Sequence, residues 1–413
     1  MTMNTINIGL LGLGTVGSGL VNILQDPQPR LAARQLRITR IAVRTVTPER
    51  QAQYPGIALT TDSQSIVTDP KINVVVEAIG GTTKAKELIK TALTFGKHVV
   101  TANKDLIATD GIELSQIAAT HHVGLYYEAA VMGAIPVLRT LRNAYAGDPI
   151  SRITGIANGT SNFILTQMIA HGSSYDDALA LAQRKGFAEA NPANDVEGLD
   201  ATYKLLILTR FAFGMNPSMD DVDIQGITTL QPQDFVTASI WGYAIKPLAV
   251  SELTPDGLCL RVAPHLVPLG HPLAAVRDEN NAVLIDSQNV KRLSMVGPGA
   301  GSLPTANSIV ADLLDLADDI HYGNTPERFV DTDTPAIVAD SAHRVAPRFV
   351  SITGTGFTRE QLRALGITGR VQRIRGRTTV LTGPVADTDV QRWHSQLAAA
   401  GVGLIHVLPV LQG

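Results

Sequence analysis

The stretch INIGLLGLGTVG, residues 6–17, limits what this chain can fold into more than any other. A run of branched apolar residues is interrupted by Gly12, Gly14 and Gly17, and a helix-forming sequence, GSGLVNILQ, follows at once. Strand, glycine turn and helix in that order are the context a dinucleotide fingerprint requires. Gly12 permits the tight turn, Gly14 lets backbone approach a pyrophosphate, and Gly17 lets the helix pack closely on the strand. Thr15 and Val16 then stand at a helix N-terminus, where free N–H groups and the positive end of the dipole favour phosphate. The expectation is an α/β chain whose residues 1–146 form a Rossmann-type NAD(P)-binding domain. The alternative is a glycine-rich turn in another α/β protein.

The next segments extend that platform. LRITRIAV at 36–43 reads as the second strand. An NAD site usually has an acid after this strand for the ribose hydroxyls. Here Arg44 follows, with Thr45 and Arg50 near it. A guanidinium at that place can meet a 2′-phosphate through paired charge-assisted bonds, so NADP is expected, with NAD as the alternative. INVVVEAI at 72–79 is a continuous β-branched run, as in a parallel strand covered on both faces, and it ends at Gly80-Gly81. An amphipathic helix is expected at about 84–95, then a strand, KHVVTANK, ending at Lys104. Ligands of open α/β sheets bind at the carboxyl ends of strands, which puts Gly80, Gly81, Thr101, Asn103 and Lys104 on the cofactor rim. LYYEAAVMGAIPVLRTLRN at 125–143 starts as a strand and turns helical near Pro136. Glu128 and the carbonyls after it are candidates for a cation site; a structural glycine turn is the plainer reading.

Charge and cysteine content exclude several classes. A net charge of −3 gives no electrostatic case for nucleic acid. The one cysteine, Cys259, allows neither an internal disulfide nor a cysteine-built zinc site. No apolar run is long enough for a membrane span, and the N-terminus carries no secretory pattern, so a cytoplasmic protein is expected. The chain opens on the nucleotide strand, so no preceding kinase domain is expected.

From about 147 the pattern changes, and residues 147–300 are read as an α+β substrate-binding and dimerisation domain. SRITGIANGTSNFILTQMIAHG gives a strand, a polar turn and a helix capped by Thr160 or Ser161. GFAEANPANDVEGLDATYK at 186–204 gathers four carboxylates, Glu189, Asp195, Glu197 and Asp200, ahead of Lys204. Asp195 is a good N-cap for a helix over 196–213, with Gly214 as its stop. On that helix Asp200 and Lys204 lie four apart on one face. A lysine held beside carboxylates at the edge of a core can donate a proton; the bland alternative is a solvated surface pair. Between 235 and 300, short β-rich runs separated by proline and glycine suggest a mostly antiparallel sheet whose open face suits a dimer contact. GPGAGSLPTANSIVADLLDLADDI is a glycine turn and a long helix, expected to return over 300–320 to the nucleotide domain with Gly301 near the cofactor; the alternative is a plain helix entry. Residues 321–346 read as a linker, and 347–413 as βαββαβ, the ferredoxin-like order.

Taken in order, the blocks GLGTVG, VVVEAIGG, GKHVVTANK, EAAVMGAIP, GIANGTSNFILTQM, DVEGLDATYKL and GPGAGSLPTANSIVADL closely resemble the homoserine dehydrogenase family, from about residue 6 to 320. The resemblance implies reversible NAD(P)-linked interconversion of L-homoserine and L-aspartate 4-semialdehyde, on the route to threonine, isoleucine and methionine. It implies Lys204 as general acid/base, Glu189 and Asp200 as substrate-holding acids, and Lys104 in cofactor or substrate contact with some catalytic role. It also implies a monovalent cation, usually sodium, at Glu128, Val131, Gly133 and Ile135, and a dimeric or larger homo-oligomer. The chain departs from the family in having Asn191 where an aspartate is common, and Met132 and Ala134 where glycine or another small residue is usual. The C-terminal unit resembles an ACT regulatory domain in strand order but has TGTGFTRE in place of the usual Pro-Gly turn, so a threonine effector is an expectation of the resemblance alone. Two rivals are an aldehyde-oxidising relative, which needs an activated cysteine that Cys259 does not suggest, and a non-catalytic sensor of NADP or amino acids on the same fold.

Overall fold

The structure is a computed structural model that describes residues 5–26, 28–324, 333–340, 344–354 and 356–412. It divides into two compact units, one of residues 1–149, 206–218 and 297–335 and the other of 150–205, 219–296 and 336–413. Of the expected linker at 321–346, residues 325–332 and 341–343 lie outside the described residues.

The first unit is built on six strands: β1 (Ile6–Leu11), β2 (Leu36–Ala42), β3 (Ala58–Thr60), β4 (Val74–Glu77), β5 (His98–Thr101) and β6 (Leu125–Tyr126). All pair in parallel, in the order β3-β2-β1-β4-β5-β6. This is the doubly wound order whose switch point lies beside β1, where dinucleotides bind. Val74, Val75 and Val76 are fully buried, as a strand covered on both faces requires. Helix Thr15–Gln25 leaves the first glycine turn, and helix Ser302–Tyr322 packs along it. Their contact is close: a Cβ at Gly19 would stand 2.6 Å from the Ser302 carbonyl oxygen.

One reading of this unit needs correction. The strand expected to end at Lys104 stops at Thr101, and Lys104 instead opens the helix Lys104–Thr120. The reason is Asn103, whose side chain accepts from Leu106 N–H at 3.2 Å and so caps that helix. Past the short β6, the 125–143 stretch forms a 3-10 turn, Glu128–Ala130, then the helical turn Val137–Arg139 running into a π-helical turn, Thr140–Ala144.

The second unit holds two sheets. The larger uses β7 (Ile150–Ile156), β8 (Asp223–Ile224), β9 (Tyr243–Thr254), β10 (Gly257–Pro268), β11 (Asn280–Ser287) and β12 (Arg292–Pro298), ordered β12-β11-β7-β9-β10-β8. The long β9–β10 hairpin and the β7–β11 and β7–β9 pairs are antiparallel, while the short β8 joins β10 in parallel. Residues 235–240, grouped with the β-rich region by sequence, lie instead in helix Pro232–Ile240, which Pro232 begins at a position where a missing N–H costs nothing. The smaller sheet uses β13 (Val345–Thr353), β14 (Gly369–Ile374), β15 (Arg377–Ala386) and β16 (Leu404–Pro409), ordered β14-β15-β13-β16. With helices Arg359–Ala364 and Asp387–Ala399 this is the ferredoxin-like arrangement.

Helix starts in the second unit also differ from the sequence reading. Asn158, and neither Thr160 nor Ser161, caps helix Gly159–His171 by accepting from Ser161 N–H at 2.7 Å. The lysine-bearing helix starts at Leu199, after Gly198 at φ +91°, and ends at Phe213 before Gly214 at φ +64°. A residue in the left-handed region cannot sit inside a right-handed helix. Asp195 therefore lies on the short preceding turn Ala193–Val196 and does not cap the long helix.

Candidate active site

In the first unit a cleft of about 700 Å³ opens at the carboxyl ends of β1, β2 and β4. Gly12, Gly14, Arg44, Arg50, Gly80 and Lys84 are among its lining residues, and among the described residues no Asp or Glu is. Gly12 has φ +101°, and a Cβ there would meet the Ala78 carbonyl oxygen at 2.6 Å. At Gly17 a Cβ would lie 2.2 Å from the Gly12 carbonyl oxygen, so strand and helix approach as closely as glycine allows. Above Gly14 the space is open, as an approaching phosphate requires. Gly14 is the extended N-cap of Thr15–Gln25, and no side chain caps it, which leaves the first N–H groups near Thr15 and Val16 for a ligand. The Thr15 carbonyl accepts from Ser302 Oγ at 2.6 Å, so the turn at Gly301 is brought to the fingerprint helix.

The far side of this cleft is organised by a residue the sequence reading passed over. Glu77, fully buried at the end of β4, accepts from the N–H groups of Ile79 at 2.8 Å and Gly80 at 2.9 Å. Its other oxygen accepts from the Thr101 hydroxyl at 2.5 Å. Thr101 is itself fully buried and accepts from Asn103 N–H, so its side chain holds the rim in shape from beneath. Asn103 Nδ2 donates to the Gly81 carbonyl at 2.7 Å. Lys104 follows at the helix N-terminus, with Nζ 3.3 Å from Asp105. An acid ending an otherwise apolar strand was the available signal for Glu77.

Glu128 is buried, and its carboxylate accepts from Leu138 N–H at 2.9 Å and Arg139 N–H at 2.7 Å. Burial pushes it up to about 7 despite those two amides. Asp312 receives the Glu128 N–H at 3.0 Å, and burial followed by the Glu128 charge raises it well above the carboxylate range. Val131, Gly133 and Ile135 lie on the adjoining turn, which Met132 at φ +56° and Gly133 at φ +53° bend sharply. The Gly133 carbonyl accepts from Ser308 Oγ at 2.7 Å, and that of Ile135 from Val137 N–H at 2.8 Å.

The second unit holds the lysine cluster. Lys204 and Asp200 are both more than nine-tenths buried, which removes the solvated surface pair as a reading. Lys204 Nζ donates to Asp200 Oδ2 at 2.7 Å and to the Ala157 carbonyl at 2.7 Å. An ammonium has three N–H donors, and these two bonds use two of them. Asn158 Nδ2 donates both to Asp200 Oδ2 at 2.8 Å and to Asp195 Oδ1 at 2.7 Å. The strand end Ala157-Asn158 thus supplies an acceptor for the lysine and a donor for its counter-ion. The sequence reading missed this role of Asn158 and Asp195; Asn ahead of Gly-Thr-Ser at a helix start was the signal that could have found the cap. Glu189 stands apart: it is exposed, and the contact it makes is through its carbonyl, with Gln183 Nε2 at 3.1 Å.

Comparison with known proteins gives consistent results. The family described as "Homoserine dehydrogenase, NAD binding domain" matches residues 12–128, and "Homoserine dehydrogenase" matches 136–314. The homoserine dehydrogenase of Bacillus subtilis (strain 168) is 43% identical over 79% of this chain and 76% of its own length. The crystal structure of a homoserine dehydrogenase from Thiobacillus denitrificans superposes with a TM-score of 0.90 at 34% identity, covering 99% of both chains. A hyperthermophilic archaeal homoserine dehydrogenase in complex with NADPH gives 0.64 at 26% identity, over 76% of this chain and 98% of that one.

Proposed function

The chain belongs to the homoserine dehydrogenase family, and from that premise we propose how its residues divide the work of the oxidoreductase reaction. A reduced nicotinamide, when bound, would supply the hydride that the aldehyde carbon of L-aspartate 4-semialdehyde accepts. Lys204 supplies the proton, or a strong hydrogen bond, to the carbonyl oxygen as charge develops on it. In homoserine oxidation the neutral amine takes the hydroxyl proton. The observation that carries this role is the Lys204 ammonium held by Asp200 Oδ2 and the Ala157 carbonyl, which use two of its three donors.

Asp200 orients Lys204 first, and with Glu189 offers negative charge to the substrate's α-ammonium. Lys104, at the start of its helix, is proposed to contact cofactor or substrate. Gly12, Gly14, Thr15, Val16, Gly17, Gly80, Gly81 and Gly301 are proposed to shape the dinucleotide site, with Thr101 supporting it from below. NADP is the proposed cofactor, supported by Arg44, Arg50 and Lys84 around the cleft, which no acid lines among the described residues. A monovalent cation, Na⁺ by family resemblance, is proposed beside Glu128 and the carbonyls of Val131, Gly133 and Ile135. In its favour, a buried carboxylate and three carbonyls share one turn; the amides already on Glu128 leave lone pairs for an ion.

The C-terminal ferredoxin-like part is proposed as an ACT-like regulatory element answering to threonine, and the enzyme as a cytoplasmic homo-oligomer. Exposed Leu253 and Val296 on the larger sheet support an oligomer contact there. The test is homoserine-dependent reduction of each nicotinamide cofactor, followed by absorbance, with and without threonine. Absence of turnover with both cofactors would remove the proposed assignments.

A further inference from the structure

We propose that Asn281 is a positioning residue for Lys204, acting through the carbonyl oxygen of Ala157. The β7–β11 ladder ends with Ile156 opposite Ala282, so the next residues along, Ala157 and Asn281, face each other as the chain leaves the sheet for helix Gly159–His171. Ala157 lies just past that last pair, outside β7. Asn281 takes over: its side chain is fully buried, and Nδ2 donates to the Ala157 oxygen at 3.1 Å. The same oxygen accepts from Lys204 Nζ at 2.7 Å. Both lone pairs of the carbonyl are thereby occupied, and its direction is set by the amide on one side and the ammonium on the other.

That direction matters because a lysine at the end of a four-carbon stem aims its third N–H by where its other two are held. One is fixed by Asp200, which Asn158 grips in turn. The other is fixed by the Ala157 carbonyl. Asn281 is what steadies that second point.

A second observation separates this role from ordinary packing. Asn281 Oδ1 is buried and has no hydrogen-bond partner among the described residues. A buried amide oxygen left unpaired is a cost to folding, so stability by itself favours an apolar residue of this size. Retaining an amide at such a position is understandable if the donor on its other side serves the reaction.

The inference rests on the proposed role of Lys204, and the experiment keeps the two apart. N281L and K204A are compared with the wild-type chain for urea stability, kcat, KM for L-homoserine, and the solvent deuterium isotope effect on kcat. N281L is expected to be at least as stable as wild type. Its kcat is expected to fall about 10- to 100-fold, in the range a misplaced catalytic group produces, with KM little changed. The isotope effect is expected to rise, because proton transfer becomes limiting. Wild-type kcat with an unchanged isotope effect overturns the proposal, as does a loss of stability and KM together without a rise in isotope effect. If K204A keeps near-normal turnover, the Lys204 reading has failed; if K204A is inactive while N281L is unimpaired, only the present inference has. Should N281L not fold, N281S, too short to reach the carbonyl, takes its place with the same readouts.

Discussion

Pairing between Lys204 and Asp200 can be measured separately from catalysis by a double-mutant cycle. Replacing Lys204 with Met leaves a carboxylate, about one-tenth exposed, that has lost its ammonium partner and keeps the Asn158 amide. Breaking a buried ion pair from one side costs about 3–5 kcal/mol, mostly because the other charge stays buried and uncompensated. D200N is milder. Its amide oxygen can take the place of Oδ2, which receives both Lys204 and Asn158, so hydrogen bonding survives and only the counter-charge of the Lys204 ammonium is lost, at about 1.5–3 kcal/mol. The double variant K204M/D200N leaves no unpaired charge and should be about 2 kcal/mol more stable than the sum of the single effects. Urea unfolding of the four proteins gives the coupling directly. Activity should not follow it: K204M should lower kcat about 10²–10⁴-fold, and the double variant should recover none of that. Stability effects that add within about 0.5 kcal/mol would refute the reasoning, since the two charges would then not be coupled.

Glu128 predicts an inverse pH dependence for a carboxylate. Its folded-state value of about 7 lies above the ordinary 4.5, so between those pH values the folded chain holds a proton the unfolded chain has lost, and stability falls as pH rises. The contribution, up to about 3 kcal/mol, is fully present below pH 4.5 and lost by pH 7. E128Q should flatten that fall in urea titrations across the window. Above neutral pH, Na⁺ in place of choline should raise the wild-type melting temperature and leave that of E128Q unmoved; equal responses would remove the cation proposal. R44A should lose about 10- to 100-fold in NADP over NAD selectivity of kcat/KM, the value of one charge-assisted contact, and an unchanged ratio would return Arg44 to the role of a loop arginine.

The nucleotide platform was legible because its signals are local. Gly17 is required by the Gly12 carbonyl within the same turn and Gly12 by its own φ of +101°, and the run ending at Glu77 needs only two-sided burial to be read as a parallel strand. Lys204 and Asp200 were legible for the same reason, four apart on one helix. The partners that fix them were not. Ala157 contributes a main-chain carbonyl, which carries no residue signature, and Asn281 reaches it from 124 positions away. Asp195 was assigned to a cap because a helix pattern does not reveal that Gly198 breaks it three residues later. Lys104 was put at a strand end because apolar runs show where strands begin more clearly than where a capping Asn stops them.

The C-terminal part shows how a sequence-separate unit can be physically continuous with its neighbour. Along β13 successive side chains point to opposite faces. Phe349 joins Phe163, Leu165, Phe235, Trp241 and Leu266 in one apolar cluster, together with Leu408 and Val410. Val350 and Ile352 face the other way, onto Leu362, Trp393 and Leu397. The smaller sheet is therefore buried on one side by its own helices and on the other by the core that carries helix Gly159–His171. Asp234 on helix Pro232–Ile240 adds a fully buried tie, accepting from Arg377 Nη1 at 3.0 Å and Ser351 Oγ at 3.2 Å. Cutting the chain near 340 would expose that cluster and strand this carboxylate, so a truncated chain is a poor test of regulation. The chain's two tryptophans allow a better one, since Trp241 reports the shared cluster and Trp393 the tail's own. In the single-tryptophan variants W393F and W241F, fluorescence should report the same urea midpoint for both regions, because neither face of the sheet can be exposed alone without losing the other's support. A tail that melts at distinctly lower urea than the Trp241 region would refute this continuity and restore the picture of an appended module.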